Sequence, residues 1–447
     1  MEQDLTTGSV FKRIVYFSLP YLLSYFLQTL YGMADLFITG QFYGVDTITA
    51  VSNGSQIMHM MTVIIVGLAM GTTVTIGHSV GAKCMEQAEK IIGNTITLFM
   101  GIAVAFTVIL VVLVKPIVVL IATPQEAVAG TSIYLLICFI GIPFITAYNI
   151  ISSIFRGLGD SKSPMYFIGI ACVMNIALDY LFMGAFHMGA AGAALGTVCA
   201  QTFSVLVALW VIRRRKTGIS LKKSDFKIER AVIGQVLKIG IPVALQDGFI
   251  QVAFMIITVI ANSRGVSDAA AVGVVEKVIS ALFIVPSSML ATVSALSAQN
   301  LGAGKEKRAT DTLHYATVIT TIYGMIVALL IQFIAENVVG IFTSDTTVVT
   351  MGSAYIRSYI WDCIFAGIHF SFSGYFAACG KSYIGFLHNI ISITFVRVPG
   401  SYLASKYFTD TLYPMGLAAP AGSLVSVAIC VTAFILLKRK SRVAQTA

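Results

Sequence analysis

Residues 163–186 read SPMYFIGIACVMNIALDYLFMGAF, an apolar stretch whose only charged side chain is Asp179. A helix that crosses lipid needs about 20 mainly apolar residues, so this stretch predicts a membrane-spanning helix. A charge inside hydrocarbon costs at least about 2.5 kcal/mol. Asp179 is therefore a candidate functional residue.

Eleven similar stretches accompany it and predict an all-α polytopic membrane protein with twelve transmembrane helices. In chain order the twelve are residues 14–38, 50–76, 91–114, 131–155, 163–186, 190–212, 232–262, 270–298, 311–335, 351–378, 383–405 and 413–437. Prolines that could bend helices are Pro20, Pro143, Pro242, Pro286 and Pro399.

Composition supports a membrane location. Hydrophobic residues make up 57% of the chain and charged residues 11%, against about 25% charged in soluble domains. The net charge of +9 does not indicate nucleic-acid binding, because the basic residues lie in short loops between apolar stretches. With the N-terminus inside, 23 of the 29 Lys and Arg residues face the cytoplasm. This bias predicts a multi-pass protein of the cell membrane with both termini cytoplasmic.

An internal repeat appears at an offset of about 221 residues. The matched elements are Leu19-Pro20 with Ile241-Pro242, Gly81-Ala82 with Gly302-Ala303, Phe155 to Ser161 with Phe376 to Ser382, and Met188-Gly189 with Met415-Gly416. Each half holds six stretches, so the halves are parallel repeats. We predict two parallel six-helix lobes, an N-lobe at 1–212 and a C-lobe at 231–447, joined by a basic cytoplasmic linker at 213–230.

The first half has only two carboxylates within its spans, Asp35 and Asp179. Asp179 lies roughly 10 Å from the outer end of its span, Asn175 is one turn deeper on the same face, and Thr197 enters the next span to a similar depth. Such an all-oxygen group suits a hard cation such as Na⁺, or a proton-sharing pair. The alternative is that Asp179 caps a broken helix end and Asp35 starts a loop.

In the second half, Asp247 and Asp362 lie nearer the middle of the bilayer. Trp361 adjoins Asp362, and His369, seven residues further on, shares its face. A carboxylate among aromatic rings is typical of a site for an organic cation. These four residues and Glu276 are the candidate substrate-binding residues.

Other charged residues of the second half have a structural interpretation. Glu276, Lys277 and Arg357 lie at similar depth and could neutralise one another, and Arg397 favours a structural role. No P-loop, HExxH or GxSxG pattern is present, so the sequence predicts neither ATP-driven transport nor an enzyme.

The chain resembles the multidrug and toxic compound extrusion (MATE) family over nearly its whole length, in the prokaryotic DinF-like branch with an aspartate in the first span. The resemblance rests on Leu30 to Asp35 with Gly40, Phe155-Arg-Gly-Leu-Gly-Asp160-Ser161, Asn175-x3-Asp179, and Met188-Gly-Ala-Ala-Gly192-Ala-Ala. It implies an antiporter that exchanges Na⁺ or H⁺ for cationic, lipophilic compounds. We expect the protein to work as a monomer, embedded in lipid and without a cofactor.

The resemblance also assigns residues. It implies a cation site at Asp35, Asn175, Asp179 and Thr197. Relatives that couple through the second lobe carry acidic residues in spans seven, eight and ten, to which Asp247, Glu276 and Asp362 could correspond. Two alternatives remain open, a flippase for lipid-linked oligosaccharides from the same broad superfamily and a membrane scaffold or channel.

Overall fold

The computed structural model describes residues 4–214 and 220–446, and only the backbone from residue 440 onward. The first half contains α1 (Val10–Phe42), α2 (Val45–Gly81), α3 (Met85–Leu120), α4 (Gln125–Ile140), α5 (Ile142–Gly157), α6 (Lys162–Asp179) and α7 (Gly189–Arg214). The second half contains α8 (Arg230–Asn262), α9 (Val266–Leu282), α10 (Ile284–Gly302), α11 (Glu306–Gly340), α12 (Thr346–Tyr359), α13 (Asp362–Ala378), α14 (Ser382–Ser392), α15 (Val398–Tyr407), α16 (Tyr413–Gly416) and α17 (Ala418–Thr446).

The all-α membrane fold is confirmed. Each of the twelve predicted stretches is occupied by one helix or by consecutive helical segments, and the described residues contain no strand. Within this part of the chain, eight helices are long and apolar enough to cross a membrane, or up to nine if α4 and α5 form one bent span. That pair bends by 51° at the break before Pro143.

The helices form two compact units, the first mainly Val15–Ala244 with Ala298–Gly304, the second mainly Leu245–Ser297 and Lys305–Ala447. In the first, α2 packs against α3, α4 and α5, and α6 packs against α7. In the second, α13 packs against α11 and α17, and α9 against α12. The first unit thus extends beyond the predicted linker into α8; residues 215–219 of that linker lie outside the described residues.

Two glycines from the predicted repeat allow close backbone contact inside the first unit. A Cβ on Gly81 would lie 2.0 Å from the Gln299 carbonyl oxygen, and one on Gly302 would lie 2.1 Å from the His78 carbonyl oxygen. Real Cβ atoms do not approach so closely, so any side chain at either position would force the helices apart. The Gly-Ala repeat element therefore has a packing role.

The described end of the linker is bound to α3. The Asn94 side chain donates to the Asp225 carbonyl over 3.1 Å and accepts from the Glu229 backbone N–H over 2.7 Å. The Thr97 hydroxyl donates to the Phe226 carbonyl over 2.9 Å. These bonds satisfy backbone groups that no helix satisfies, so residues 220–229 have a defined place on the first unit.

The chain turns sharply between α6 and α7. A π-helical turn, Tyr180–Ala185, follows Asp179 directly, and His187 and Gly189 then take positive φ values of 53° and 58°. This reversal brings α7 back along α6. It places the candidate residues of both helices at one level.

Candidate functional site

Three helices of the first unit contribute the four predicted cation-site residues. Asp35 comes from α1, Asn175 and Asp179 from α6, and Thr197 from α7, and all four side chains are buried. The Thr197 hydroxyl donates to Asp35 Oδ2 over 3.4 Å, and the Asn175 amide donates to Asp179 Oδ1 over 3.4 Å. The structure thus brings the four together; their part in coupling stays a prediction.

The carboxyl groups of Asp35 and Asp179 face each other. They lie close enough to interact electrostatically, and the Asn175 amide lies beside both. Asp35 is inside α1 and starts no loop, and the Asp179 side chain makes no capping bond to the π turn that follows it. The alternative interpretation of both residues is therefore wrong.

Several oxygens of this site have no hydrogen-bond partner among the described residues. They are Asp35 Oδ1, Asp179 Oδ2, Asn175 Oδ1 and the Tyr31 hydroxyl. Neither carboxylate forms a salt bridge in the described part of the chain. Buried polar atoms without partners are costly, and two facing carboxylates repel each other when both are ionised. A proton or a cation bound between the two carboxylates would relieve both costs.

The donor set consists of oxygen atoms, which suit a hard cation. Across residues 4–214 and 220–446, no three His, Cys, Asp or Glu side chains meet as a transition metal would require. Carboxylate, amide and hydroxyl oxygens are instead the ligands of hard cations. The residues present thus fit Na⁺, and equally a shared proton.

A glycine of α7 gives the site its shape. A Cβ on Gly196 would lie 2.1 Å from Asp179 Oδ1 and 3.6 Å from Asn175 Nδ2. The Asp179 carboxylate therefore occupies the space that any larger residue at position 196 would fill. The sequence analysis did not identify Gly196 as part of the site.

Sequence reasoning also missed two tyrosines near the site, Tyr31 on α1 and Tyr43 just after its end. Tyr31 is four residues before Asp35, and its buried hydroxyl lies beside Thr197 without a hydrogen-bond partner among the described residues. The Tyr43 hydroxyl donates to the Met183 carbonyl over 3.0 Å and accepts from the Gly189 N–H over 2.9 Å. The spacing of Tyr31 and Asp35, one helical turn, was the available signal. Tyr43 shows no such signal, since its partners lie far away in sequence.

In the second unit, Asp362 is buried and neither of its carboxylate oxygens has a hydrogen-bond partner among the described residues. Arg397 interacts electrostatically with both Asp362 and Glu276. Its guanidinium donates to the Tyr359 hydroxyl and lies 5.0 Å from the centre of the Phe254 ring. Arg397 ends a second π turn, Ile393–Arg397. A cation that sequence reasoning treated as structural thus stands beside the candidate carboxylates.

Two buried histidines lie beside this group, with ring centroids 5.3 Å apart. His369 Nε2 lies 3.4 Å from the Ser423 hydroxyl, and His388 Nε2 lies 2.9 Å from the Ser373 hydroxyl. Of the predicted substrate residues, Asp362, Glu276 and His369 therefore belong to one polar region.

The remaining second-half candidates are less closely associated. Trp361 packs against the hydrophobic core of the second unit, and Asp247 is half-buried on α8. No hydrogen bond in the described part of the chain joins either residue to Asp362.

The expected neutralisation of Glu276 by Lys277 and Arg357 is wrong. Arg357 pairs at 3.3 Å with Glu336 of α11, while Glu276 accepts from the Thr258 hydroxyl at 3.3 Å. Depth along the chain does not fix which way each helix face turns.

The match to a known protein family shows the same division of the chain into two halves. The family model MatE matches residues 20–181 and matches again at residues 242–403. Two matches of one model support the internal duplication that the sequence predicted, at nearly the predicted offset. Together they span well over half of the chain.

Individual proteins of similar sequence support the same family assignment. The chain is 29% identical over 415 residues to the probable multidrug resistance protein YpnP of Bacillus subtilis (strain 168), covering 93% of each chain. It is 23% identical over 374 residues to the multidrug export protein MepA of Staphylococcus aureus (strain MSSA476), covering 83% of this chain and 82% of that protein.

Solved structures give the same fold. An outward-facing multidrug resistance MATE family transporter of the MOP superfamily superimposes with a TM-score of 0.91 at 20% identity, covering 100% of this chain and 99% of that one. From the repeated family match, the relatives and the shared fold, we conclude that the chain belongs to the MATE family, whose members are secondary transporters and not enzymes.

Proposed function

We propose that this protein is a cation-coupled antiporter that exports cationic, lipophilic compounds, and that Asp35 and Asp179 form its coupling site. The observation that carries the proposal is the buried carboxyl pair, whose remaining oxygens lack partners in the described structure. Ionisable groups inside a membrane are costly and mark ion or proton pathways. Its relatives include a multidrug export protein, and export of such compounds would give that ion movement a purpose.

The coupling follows from electrostatics. When the site is empty, both carboxylates cannot be ionised at close range without strong repulsion. A proton or Na⁺ removes the repulsion and draws α1 and α6 together through Asp35 and Asp179. Since α1 carries Pro20 in its interior, occupancy of the site would favour one shape of this helix over another.

The coupling ion is H⁺ or Na⁺, since both suit the same oxygens. Binding of one excludes the other, so each ion should compete with the other at this site. The second unit offers a separate polar region in which two carboxylates, Asp362 and Glu276, outnumber one guanidinium, Arg397, with His369 beside them. We assign this region to the organic cation. We further propose that the protein works as a monomer in the cell membrane, surrounded by lipid and with both termini in the cytoplasm.

The oligosaccharide flippase remains a less favoured function. It would need free basic side chains along a cleft to hold an anionic pyrophosphate. Arg357 is paired with Glu336, and Arg397 is held by the Tyr359 hydroxyl and the Phe254 ring.

The test is gradient-driven export of a cationic dye, ethidium, from proteoliposomes. We expect Asp35→Asn and Asp179→Asn each to abolish export under an imposed proton or Na⁺ gradient. The double variant should be no worse than either single one, because the pair acts as a unit. Asp46→Asn is the matched control, since Asp46 is an exposed aspartate at the start of α2.

Two outcomes would contradict the proposal. Near wild-type export by both single variants would remove the pair from the coupling mechanism. Export that needs no cation gradient in the wild type would remove coupled antiport altogether. Folding of each variant is checked by size-exclusion chromatography in detergent, so that loss of protein is not mistaken for loss of coupling.

A further inference from the structure

The described end of the linker and the first residue of α8 form a short segment, residues 220–230, that lies against α3. Hydrogen bonds of the Asn94 and Thr97 side chains, described above, hold it there. A Cβ on Gly93 would lie 2.3 Å from the Asp225 carbonyl oxygen, so the backbone of the segment touches the helix where a side chain is lacking. The segment therefore has a fixed position on α3 and a fixed outward side.

These contacts set the depth of the segment in the membrane. The predicted span of α3 is 91–114, so Thr97 lies roughly 9 Å into it along the helix axis. Val104, Val108 and Val112 follow two, three and four turns beyond Thr97 on the same helix face, and all three are exposed. An exposed apolar face on a membrane-spanning helix contacts lipid. The segment therefore lies at the border of the membrane, on the lipid-facing side of α3.

The outward side of the segment is both apolar and basic. Leu221, Phe226 and Ile228 have 39, 38 and 58% of their surface exposed. The basic residues of the segment are also exposed, namely Lys222, Lys223, Lys227 and Arg230. Apolar and basic side chains alternate in this way in segments that lie in the membrane interface, with the apolar groups at the acyl boundary and the cations among the headgroups.

The segment and the residues before it carry a net positive charge. Residues 213–230 contain eight Lys and Arg against two acidic residues, Asp225 and Glu229. The Asp225 carboxylate is buried and accepts from the Lys222 backbone N–H over 2.7 Å. Within the described residues, none of the four basic side chains of the segment forms a salt bridge. Basic clusters of this size beside a membrane-spanning helix attract anionic lipids.

We propose that the 220–230 segment binds anionic phospholipid, with its lysines on the phosphate oxygens and with Phe226 and Ile228 at the start of the acyl chains. The ligand is a lipid and not a free phosphate ester, because the apolar side chains lie at the depth where acyl chains begin. This site is separate from the carboxyl pair and goes beyond the proposed antiport. Either proposal can therefore fail without the other.

The test compares three probes on the purified full-length protein in detergent, with binding followed by native mass spectrometry. The probes are dioleoylphosphatidylglycerol, dioleoylphosphatidylcholine and glycerophosphoglycerol, which has the anionic headgroup without acyl chains. We expect phosphatidylglycerol to bind at least about tenfold more tightly than either of the others. Equal binding of the two lipids would overturn the proposal. Equally tight binding of glycerophosphoglycerol would also overturn it, by assigning the site to a soluble phosphate ester.

Variants locate the site. The charge variant replaces the three lysines of the segment together: Lys222→Gln, Lys223→Gln and Lys227→Gln. The control variant removes the same charge from three exposed lysines elsewhere: Lys12→Gln, Lys83→Gln and Lys307→Gln. We expect the charge variant to lose at least about tenfold in affinity for phosphatidylglycerol and the control variant to keep it. Affinity retained in the charge variant, or lost equally in the control variant, would contradict the assignment.

A second variant tests the apolar contacts. Phe226→Ser combined with Ile228→Ser keeps every charge of the segment but removes its two largest exposed apolar groups at the acyl boundary. It should weaken phosphatidylglycerol at least about threefold. Unchanged affinity would show that the segment does not reach the acyl chains.

A measurement on the wild type keeps the test decisive if the charge variant does not fold. Trypsin cleaves after lysine, so bound lipid should slow cleavage after Lys222, Lys223 and Lys227. Each rate is divided by the rate after Lys83, which lies in the exposed turn before α3. We expect this ratio to be at least about threefold lower in nanodiscs that contain phosphatidylglycerol than in nanodiscs of phosphatidylcholine alone. An equal ratio in the two would refute the proposal.

Discussion

Gly196→Ala tests whether the position of the Asp179 carboxylate matters for coupling. The added Cβ would lie 2.1 Å from Asp179 Oδ1, while ordinary contact begins at 3.4 Å. The carboxylate must therefore retreat by about 1.3 Å, which exceeds the tolerance of a site that binds ions at fixed distances. We expect gradient-driven export to fall at least about tenfold, equivalent to about 1.4 kcal/mol of lost coupling.

The same variant should still fold. Overpacking lowers the free energy of unfolding by about 1–3 kcal/mol. Replacing glycine by alanine inside a helix raises it by up to about 1 kcal/mol. The atom that must move ends a side chain, so the backbone of α7 can stay in place. The purified variant should unfold within a few degrees of the wild type.

The assay is ethidium export from proteoliposomes under an imposed gradient, beside thermal unfolding of the same preparation. Gly169→Ala is the matched control. It adds a methyl group to α6 in the same unit, where the new Cβ would meet only Leu27 Cδ1, at 3.8 Å. Full export by folded Gly196→Ala would refute the argument that the carboxylate must occupy this space.

Three further predictions address other parts of the molecule. Cysteines introduced at positions 83, 216 and 440 should escape membrane-impermeant maleimide in intact cells, because the basic loops stay inside; labelling at all three would reverse the orientation. Asp362→Asn should reduce resistance of expressing cells to cationic compounds more than to neutral ones, and an equal loss for both would make Asp362 structural. Asn94→Leu should speed limited proteolysis within residues 220–229 at least about threefold. It removes the hydrogen bonds to Asp225 and Glu229, each worth about 1 kcal/mol. Unchanged cleavage would show that Asn94 does not hold the linker.

Much of the fold could be predicted because its signal is local. A stretch such as residues 163–186 contains in itself the length and apolarity that a span requires. The positions where these helices bend or change winding could not be predicted in the same way. The 51° bend between α4 and α5 and the π turn at Tyr180–Ala185 depend on neighbouring helices, which a local pattern does not contain.

The candidate site shows the same limit. Depth along each span was enough to group Asp35, Asn175, Asp179 and Thr197, because few polar groups occur in those spans. The rotation of each helix about its axis was not available, so Arg357 was grouped with Glu276 although it pairs with Glu336. Gly196 contributes by lacking a side chain, and the sequence does not show that the Asp179 carboxylate occupies the space this leaves.

The two π turns lie in corresponding spans of the two units but at different positions along them. At the offset of the two family matches, Ile393–Arg397 aligns with residues 171–175, nine residues before the turn at Tyr180–Ala185. π turns are local irregularities of a helix that occur frequently at functional sites. Each unit thus has a place where a helix can change its local winding, beside Asp179 in the first and at Arg397 in the second.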